Sequence, residues 1–213
     1  MDYLEQISLG FQLGDRKLIY SSLLDYFVKY RKKVVFQKHP LGFKYHKLGK
    51  ISSFAEFRLH FWINTDDIQD KDLQVHDHSF NFTSFVVNGQ IINTKYKPIQ
   101  KPNSNGYIYE VKFENEKSDL ILNKKDCYLH EAEISIVNQG EFYKMVSNEF
   151  HETKNIEEFT ITLLKIYKPQ EKIARVFSLK KLDRIPSFKR TTLNAKENLQ
   201  LTNEIIRLIN FDY

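Results

Sequence analysis

The sequence predicts one domain, residues 1–213, with an all-β core between two helical ends. The chain has 213 residues, of which 41% are hydrophobic and 14% aromatic, and this is enough apolar area for a single buried core. Short alternating runs rich in Phe, Ile, Val, Tyr and Thr fill about residues 50–178, a pattern typical of an antiparallel sandwich or barrel. Helical periodicity is confined to about residues 1–35 and 190–213.

Turn-forming residues divide the strand pattern into short segments. The predicted turns are Asn88-Gly89, Lys101-Pro102-Asn103, Asn123-Lys124 and Gln139-Gly140. Many short strands at this spacing favour antiparallel pairing, since parallel strands need longer connections.

Both helical ends carry a predicted N-terminal cap. Asp15 precedes one amphipathic helix within the first thirty residues, and Asn194 with Glu197 has the spacing of a capping box after Pro186. The apolar face of the first helix is Ile19, Leu23, Leu24, Phe27 and Val28, and that of the last helix is Leu201, Ile205, Leu208 and Ile209.

The composition excludes several other classes of protein. The 17 Phe and 12 Tyr are too many for a disordered chain, and the single Cys127 excludes a disulfide scaffold and is expected to be buried and structural. The longest stretch without Asp, Glu, Lys or Arg, residues 78–94, is rich in Asn, Ser and Thr, so no membrane span is predicted. The start of the chain lacks the basic and apolar regions of a signal peptide. We therefore expect a cytoplasmic protein.

The charge is mildly basic, with 32 Lys and Arg against 27 Asp and Glu and a net charge of +5. Much of the excess lies in residues 31–33 and 180–190, and no zinc-finger, RNP or helix-turn-helix spacing accompanies them. The glycine patterns that bind nucleotide phosphates are also missing. A solvated basic edge is favoured, and neither nucleic acid nor a nucleotide cofactor is expected as a partner.

Three histidines form the strongest candidate for a chemical site. His76 and His78 lie two residues apart, so in a strand both imidazoles point to one side. The same face continues through Phe80, Phe82, Ser84 and Val86. His151, before another alternating strand, is the third predicted ligand. Three neutral imidazoles suit Fe(II), Zn, Ni or Cu and leave coordination positions open, whereas a packed or surface pair of histidines is the non-functional alternative.

A polar strand face supplies further candidates. On the strand predicted from Phe54 to Trp62, Glu56, Arg58 and His60 share one face. If this face lines a barrel, Arg58 is placed to hold a substrate anion and His60 to donate a hydrogen bond; if it faces solvent, both are ordinary surface residues. The remaining histidines are interpreted as loop residues, His39 and His46, and as a plain strand residue, His130.

These motifs resemble the cupin superfamily, whose fold is a double-stranded β-helix, or jelly-roll barrel. The segment from Val75-His76-Asp77-His78 to Gly89 resembles the first cupin motif, and the segment from Gly140 to His151 resembles the second, within a match of about residues 54–167. Most cupins place a Glu a few residues after the second histidine, but no acid occurs in residues 79–83. The pattern is therefore similar to the three-histidine type found in the cysteine dioxygenase-like thiol dioxygenases.

The resemblance implies a mononuclear Fe(II) site at His76, His78 and His151 that uses dioxygen on a thiol or amino-acid-like small molecule, with Mn, Zn, Ni or Cu as other metals. Phe61-Trp62, the His-Asp-His string and Ile166-Tyr167-Lys168-Pro169 resemble that family locally, and Tyr167 matches an active-site tyrosine. Thr83 stands where the family has a cross-linking cysteine, and Lys47 or Arg58 would replace its carboxylate-binding arginine. A binding or sensing barrel without turnover and a metal-dependent isomerase or lyase remain alternatives, and a homodimer is possible.

Overall fold

A computed structural model describes residues 2–53, 55–63, 71–114, 117–167, 172–182 and 187–211. Over these ranges the protein is mostly β, with three helices, Tyr3–Leu13 (α1), Arg16–Lys29 (α2) and Ala195–Phe211 (α3), and a short 3-10 turn at Lys71–Leu73. The strands are Gln37–Lys38 (β1), Lys44–Ser52 (β2), Ala55–Ile63 (β3), Phe82–Asn88 (β4), Gln90–Gln100 (β5), Gly106–Glu114 (β6), Lys117–Asn138 (β7), Phe142–Met145 (β8), Phe150–Asn155 (β9), Phe159–Tyr167 (β10), Arg175–Ser178 (β11) and Ser187–Lys189 (β12). The prediction of an all-β core with helical ends is confirmed.

The N-terminal segment forms two helices, so the prediction of one helix there is wrong. Gly14 ends α1 in the left-handed conformation, with φ of 67°, which glycine adopts without steric cost. Asp15 then caps α2, because its side chain accepts a hydrogen bond from the Leu18 amide at 3.0 Å. Val28, placed on the apolar face by the helical periodicity, is exposed.

The C-terminal helix begins as predicted. Asn194 accepts a hydrogen bond from the Glu197 amide, and the Glu197 carboxylate accepts one from the Asn194 amide, each at 2.9 Å. Leu201, Ile205 and Ile209 are buried along one face of α3. Among the described residues, none of the helices combines the length and the apolar character needed to cross a membrane.

The strands form two antiparallel sheets. The first has the order β1-β2-β3-β10-β4-β8, and the second has the order β11-β6-β7-β5-β9 with β12 added to β7. The turns at Gly89, Asn103 and Gly140 are confirmed, and each of these residues has a positive φ. Asn123 and Lys124 instead lie inside β7, so the turn predicted there is wrong.

The first sheet has buried residues on both faces of β4 and β10. Phe57, Leu59 and Phe61 of β3 and Phe85 of β4 belong to the largest apolar cluster, together with Phe27 of α2 and apolar residues of α3. The alternate residues of β4, Phe82 and Val86, belong to separate apolar clusters. The helices therefore cover one face of this sheet and leave its other face for the interior between the sheets, where the polar residues of β3 point.

A short extended segment around His76 connects the two edge strands of the second sheet. The His76 amide donates to the His151 carbonyl at 3.0 Å, and the His151 amide donates back at 2.8 Å. On its other side, the Phe177 amide donates to the Val75 carbonyl and the Asp77 amide donates to the Arg175 carbonyl, both at 2.9 Å. Because β9 and β11 stand at opposite ends of the strand order, this segment closes the second sheet into a ring.

Candidate metal centre

His76, His78 and His151 converge on one point. One ligand atom from each imidazole lies within 4.8 Å of the others, and the ring centroids of the three pairs are 4.6 to 5.0 Å apart. His76 lies in the segment that closes the second sheet, and His151 lies directly opposite on β9. The backbone pairing of these two segments is therefore what brings the histidines together.

The local structure around the first two histidines differs from the predicted one. His76 forms isolated bridges rather than part of a long strand, and β4 begins only at Phe82. His78 stacks on Phe80 with 4.9 Å between ring centroids and an interplanar angle of 24°. The single regular strand predicted through both histidines is wrong, although both imidazoles still reach the same site.

Hydrogen bonds fix the tautomer of two of the three imidazoles. Nδ1 of His76 lies 2.8 Å from the Gln74 carbonyl oxygen, and Nδ1 of His151 lies 2.9 Å from the Glu149 carbonyl oxygen. A carbonyl oxygen only accepts, so each Nδ1 must carry the proton and donate it. Nε2 of both rings therefore keeps its lone pair, which is the form that binds a metal ion.

Burial keeps the cluster neutral. It lowers the pKa of His151 to about 3, with a further contribution from His76. It also lowers the pKa of His76 and brings that of His78 well below its ordinary value, where the neighbouring histidines add to the effect. A histidine must be neutral to bind a metal ion, so all three imidazoles are in the form that a divalent transition metal can bind.

A buried ion pair next to the cluster is a feature that the sequence did not reveal. Asp77, between the two ligand candidates, is 2% exposed, and its carboxylate lies 2.5 Å from Nη2 of Arg175. Burial raises the pKa of the Asp77 carboxyl, and the Arg175 guanidinium opposes part of that effect. Removing Arg175 would leave the buried Asp77 carboxylate without its compensating charge.

A cavity of about 660 Å³ adjoins the cluster and is lined by His76 and His78, though not by His151. Arg58 and His60 also line it, so the polar face of β3 points into the interior rather than to solvent. Burial lowers the pKa of His60 to about 3, with Arg58 as the next cause, so this imidazole is neutral. Arg58 forms an ion pair with Glu56, and its guanidinium carbon lies 5.7 Å from the centroid of the Phe80 ring.

Positive side chains surround this cavity. Lys47 lines it from β2 and is paired in register with Arg58 on β3. Lys172 lines it from the segment before β11 and donates to the Ser147 hydroxyl at 2.9 Å. Apolar residues complete the wall, among them Phe43, Phe80, Leu120, Ile166, Ile173 and Phe188.

Tyr167, the predicted catalytic tyrosine, does not line the cavity. Leu164 and Ile166 of β10 line the cavity, and the adjacent Tyr167 points to the opposite side of the strand, where it is 41% exposed. Its ring lies 6.0 Å from the Lys165 ammonium. Lys168, Pro169, Pro186 and Phe54, which were part of the predicted motifs, lie outside the described residues.

The other histidines and the cysteine have distinct positions. His39 lies in a loop, as predicted, but it lines the cavity and stacks on Phe43 at 4.3 Å between centroids. His46 is buried within β2 instead of lying in a loop, so that prediction is wrong. His130 is exposed on β7, and Cys127 is buried, where desolvation raises the pKa of its thiol.

No family model and no curated protein matches this chain. Among solved structures, a transcriptional regulator of the HTH_3 family from Vibrio cholerae is 13% identical with a TM-score of 0.34, and the match covers 62% of this chain and about half, 53%, of the regulator. A Streptomyces protein solved with uridine, PAC13, is 9% identical with a TM-score of 0.38 and coverage of 73% and 93%. Procruciferin, an 11S globulin from Brassica napus, is 11% identical with a TM-score of 0.35 and coverage of 73% and 33%. Similarity at this level does not assign the chain to a family.

Proposed function

We propose that the protein is a metal-dependent enzyme of the cupin type, in which His76, His78 and His151 hold one Fe(II) ion and a small anionic molecule is oxidised with dioxygen. The observation that carries this proposal is the convergence of three neutral imidazoles beside a cavity large enough for a small substrate. Both sheets and the ring closure at His76 are compatible with a double-stranded β-helix.

The donor set fits a divalent transition metal. Two of the imidazoles have their Nδ1 proton committed to a backbone carbonyl, and such outer hydrogen bonds orient metal-bound histidines. Three protein ligands leave room at the ion for substrate and dioxygen. When bound there, Fe(II) would supply the redox chemistry.

The chain's own residues would bind and orient the substrate. Lys47 and Arg58, neighbours on β2 and β3, bring positive charge to the cavity wall, which favours a substrate with a carboxylate or another anionic group. The Arg58 charge is partly compensated by its ion pair with Glu56. Lys47 is therefore expected to contribute much of the attraction for an anionic substrate. Amino-acid-like molecules, one of the substrate classes predicted from the sequence, carry such a carboxylate, as does a thiol that also bears a carboxylate.

His60 and Phe80 would shape the reaction space. His60 is neutral and lines the cavity, so it is able to donate or accept one hydrogen bond to the substrate without adding charge. Phe80, stacked on His78, covers that ligand with an apolar surface. Such a wall excludes bulk water from the ligands and strengthens electrostatic interactions with a bound anion.

The first test is elemental analysis of protein purified without an affinity tag or added metal, together with anaerobic Fe(II) reconstitution. We expect about one metal ion per chain, as one three-histidine site implies. Dioxygen consumption is then measured with a panel of small thiols and amino-acid-like carboxylates. Iron binding and dioxygen uptake that depends on one class of compound would support the proposed function.

Histidine variants connect the measurement to the site. His76→Ala, His78→Ala and His151→Ala should each lose metal, whereas His130→Ala, which changes an exposed histidine on β7, should keep it. Full metal content in the His151→Ala variant would contradict the ligand assignment. Metal binding without dioxygen uptake, but with redox-neutral turnover on zinc or nickel, would favour an isomerase or lyase, and ligand binding without turnover would favour a sensing barrel.

A further inference from the structure

We infer that Arg175 is a positioning residue of the metal centre, which sets the orientation of His76 and His78 through the carboxylate of Asp77. This inference rests on the metal site proposed above. It goes beyond that proposal because Arg175 is neither a ligand nor a predicted substrate contact, and nothing in the sequence motifs includes it.

Arg175 binds both oxygens of the Asp77 carboxylate. Oδ1 accepts a hydrogen bond from the Arg175 backbone amide at 2.5 Å. Oδ2 accepts from Nε at 2.8 Å and lies 2.5 Å from Nη2. The carboxylate is fully shielded from solvent, so Arg175 is its source of compensating charge among the described residues. The guanidinium therefore holds Oδ2 and the backbone amide holds Oδ1, so the Arg175 side chain supplies one of the two contacts that fix the orientation of the carboxylate.

Asp77 is placed where its orientation affects two ligands at once. The segment from Val75 to Asp77 is extended, because it pairs with His151 on one side and with Val176 on the other. In extended backbone, the side chain of Asp77 points away from that of the preceding His76, and His78 follows Asp77 directly in the chain. A rotation of Asp77 about the chain direction would therefore turn the His76 imidazole away from His151, and it would displace His78, the next residue in the chain.

The guanidinium of Arg175 also contacts the segment that carries the third histidine. Its central carbon lies 4.8 Å from the centroid of the Phe150 ring, and Phe150 is buried immediately before His151. Arg175 thus contacts both backbone segments that supply ligands, one through an ion pair and the other through a cation–π contact. This double contact distinguishes it from the other positive residues of the cavity.

The test compares metal binding by variants of the full chain with the folding stability of the metal-free protein. The variants are Arg175→Lys, Arg175→Met and Asp77→Asn, and the double variant Asp77→Leu with Arg175→Met removes the buried charge pair altogether. Arg207→Met is the control for the loss of an arginine, because the Arg207 guanidinium is paired with the Glu204 carboxylate on α3, an element that supplies none of the three histidines. Each protein is titrated with Co(II), followed by its ligand-field absorption, and with Zn(II) against a chromophoric chelator.

The affinity of Arg175→Met and Asp77→Asn for both metals should fall by about 10-fold to 100-fold, as for other residues that orient metal ligands. The Co(II) spectrum at saturation should shift, since the ligand geometry changes. Arg175→Lys should recover part of the affinity, because it restores the charge without the planar fork. If Arg175→Met does not fold, the double variant serves instead, with weak metal binding and near-normal metal-free stability expected.

Two results would overturn this inference and leave the proposed metal site intact. One is metal affinity within about twofold of the wild type in the variants, with an unchanged Co(II) spectrum. The other is a loss of affinity fully accounted for by a loss of metal-free stability, which would make the pair structural. Failure of the unaltered protein to bind Co(II), Zn(II) or Fe(II) would instead refute the proposed metal site, and the inference with it.

Discussion

His46 offers a quantitative test of how burial controls the stability of this fold. Its Nδ1 lies 2.8 Å from the Val35 carbonyl oxygen and its Nε2 lies 2.8 Å from the Tyr26 hydroxyl. The carbonyl requires a proton on Nδ1, so Nε2 accepts from Tyr26. The rings of Phe27 and Phe36 lie against the imidazole. The Tyr26 hydroxyl, which contacts the imidazole, is itself titratable. Burial raises its pKa to about 12, so the hydroxyl stays neutral at the pH values considered.

The sign of the pH effect follows from the lowered pKa of His46, which is caused mainly by burial. Above about pH 6.5 the imidazole is neutral in the folded and unfolded chains, and its contribution to stability is fully present. As the pH falls below that value, the unfolded chain binds a proton that the folded chain does not. The free energy of unfolding therefore decreases, by at most about 1.4 kcal/mol per pH unit for this one residue.

The perturbation is His46→Gln, and the assay is urea unfolding of the metal-free protein at pH 7.0 and pH 5.5. The free energy of unfolding of the variant at pH 7.0 should be lower by about 1 to 3 kcal/mol, because the imidazole that pairs with the Tyr26 hydroxyl and the Val35 carbonyl is lost. At pH 5.5 this difference should shrink by about 1 kcal/mol, since the variant has no imidazole to protonate. His130→Gln is the control, because it makes the same substitution at an exposed histidine on β7. A stability difference for His46→Gln that is the same at both pH values would refute the reasoning.

Three further predictions concern the metal centre and two local backbone features. Co(II) or Zn(II) at about 100 times its dissociation constant should stabilise the protein by about 2.7 kcal/mol, measured as a rise in the melting temperature. A rise of the same size in the His151→Ala variant would contradict the ligand assignment. Gly89→Ala should cost about 1 to 3 kcal/mol in urea unfolding, because Gly89 has φ of +79° and an added Cβ would lie 2.9 Å from the Phe159 carbonyl oxygen; an unchanged midpoint would argue against this strain. Asn194→Ala should cost about 1 kcal/mol by removing the cap of α3, and Asn194→Ser should recover most of it, so an equal loss in both variants would point to another cause.

Features set by short sequence distances were predictable from the sequence. The caps at Asp15 and Asn194 depend on contacts within three residues, and the two faces of β3 follow from strict alternation of polar and apolar residues. Sequence alone left open which face of β3 lines the interior. The helices decide this question, because they cover Phe57, Leu59 and Phe61 and leave Arg58 and His60 to the cavity.

Features set by pairing with distant strands were not predictable. Asn123 and Lys124 have the composition of a turn, but Lys124 pairs with Ile108 and the strand continues to Asn138. Tyr167 matches an active-site tyrosine by resemblance alone, and alternation along β10 does not tell which face meets the cavity, because both faces carry buried residues. His46 lies close to Pro40-Leu41-Gly42, whose composition predicts a loop. The pairing of β1 with β2 instead places His46 in a strand and in the core.

The ion pair of Asp77 and Arg175 is the clearest case of information that lies in the fold rather than in local sequence. The two residues are 98 positions apart, and an arginine in an alternating strand is most simply interpreted as a solvent-facing residue. Arg175 becomes a structural neighbour of the three histidines only because the His76 segment joins β9 and β11. The same backbone pairing closes the sheet and brings His76 opposite His151. Metal affinity at the proposed site should therefore respond to substitutions that weaken this closure, even where none of the three histidines is changed.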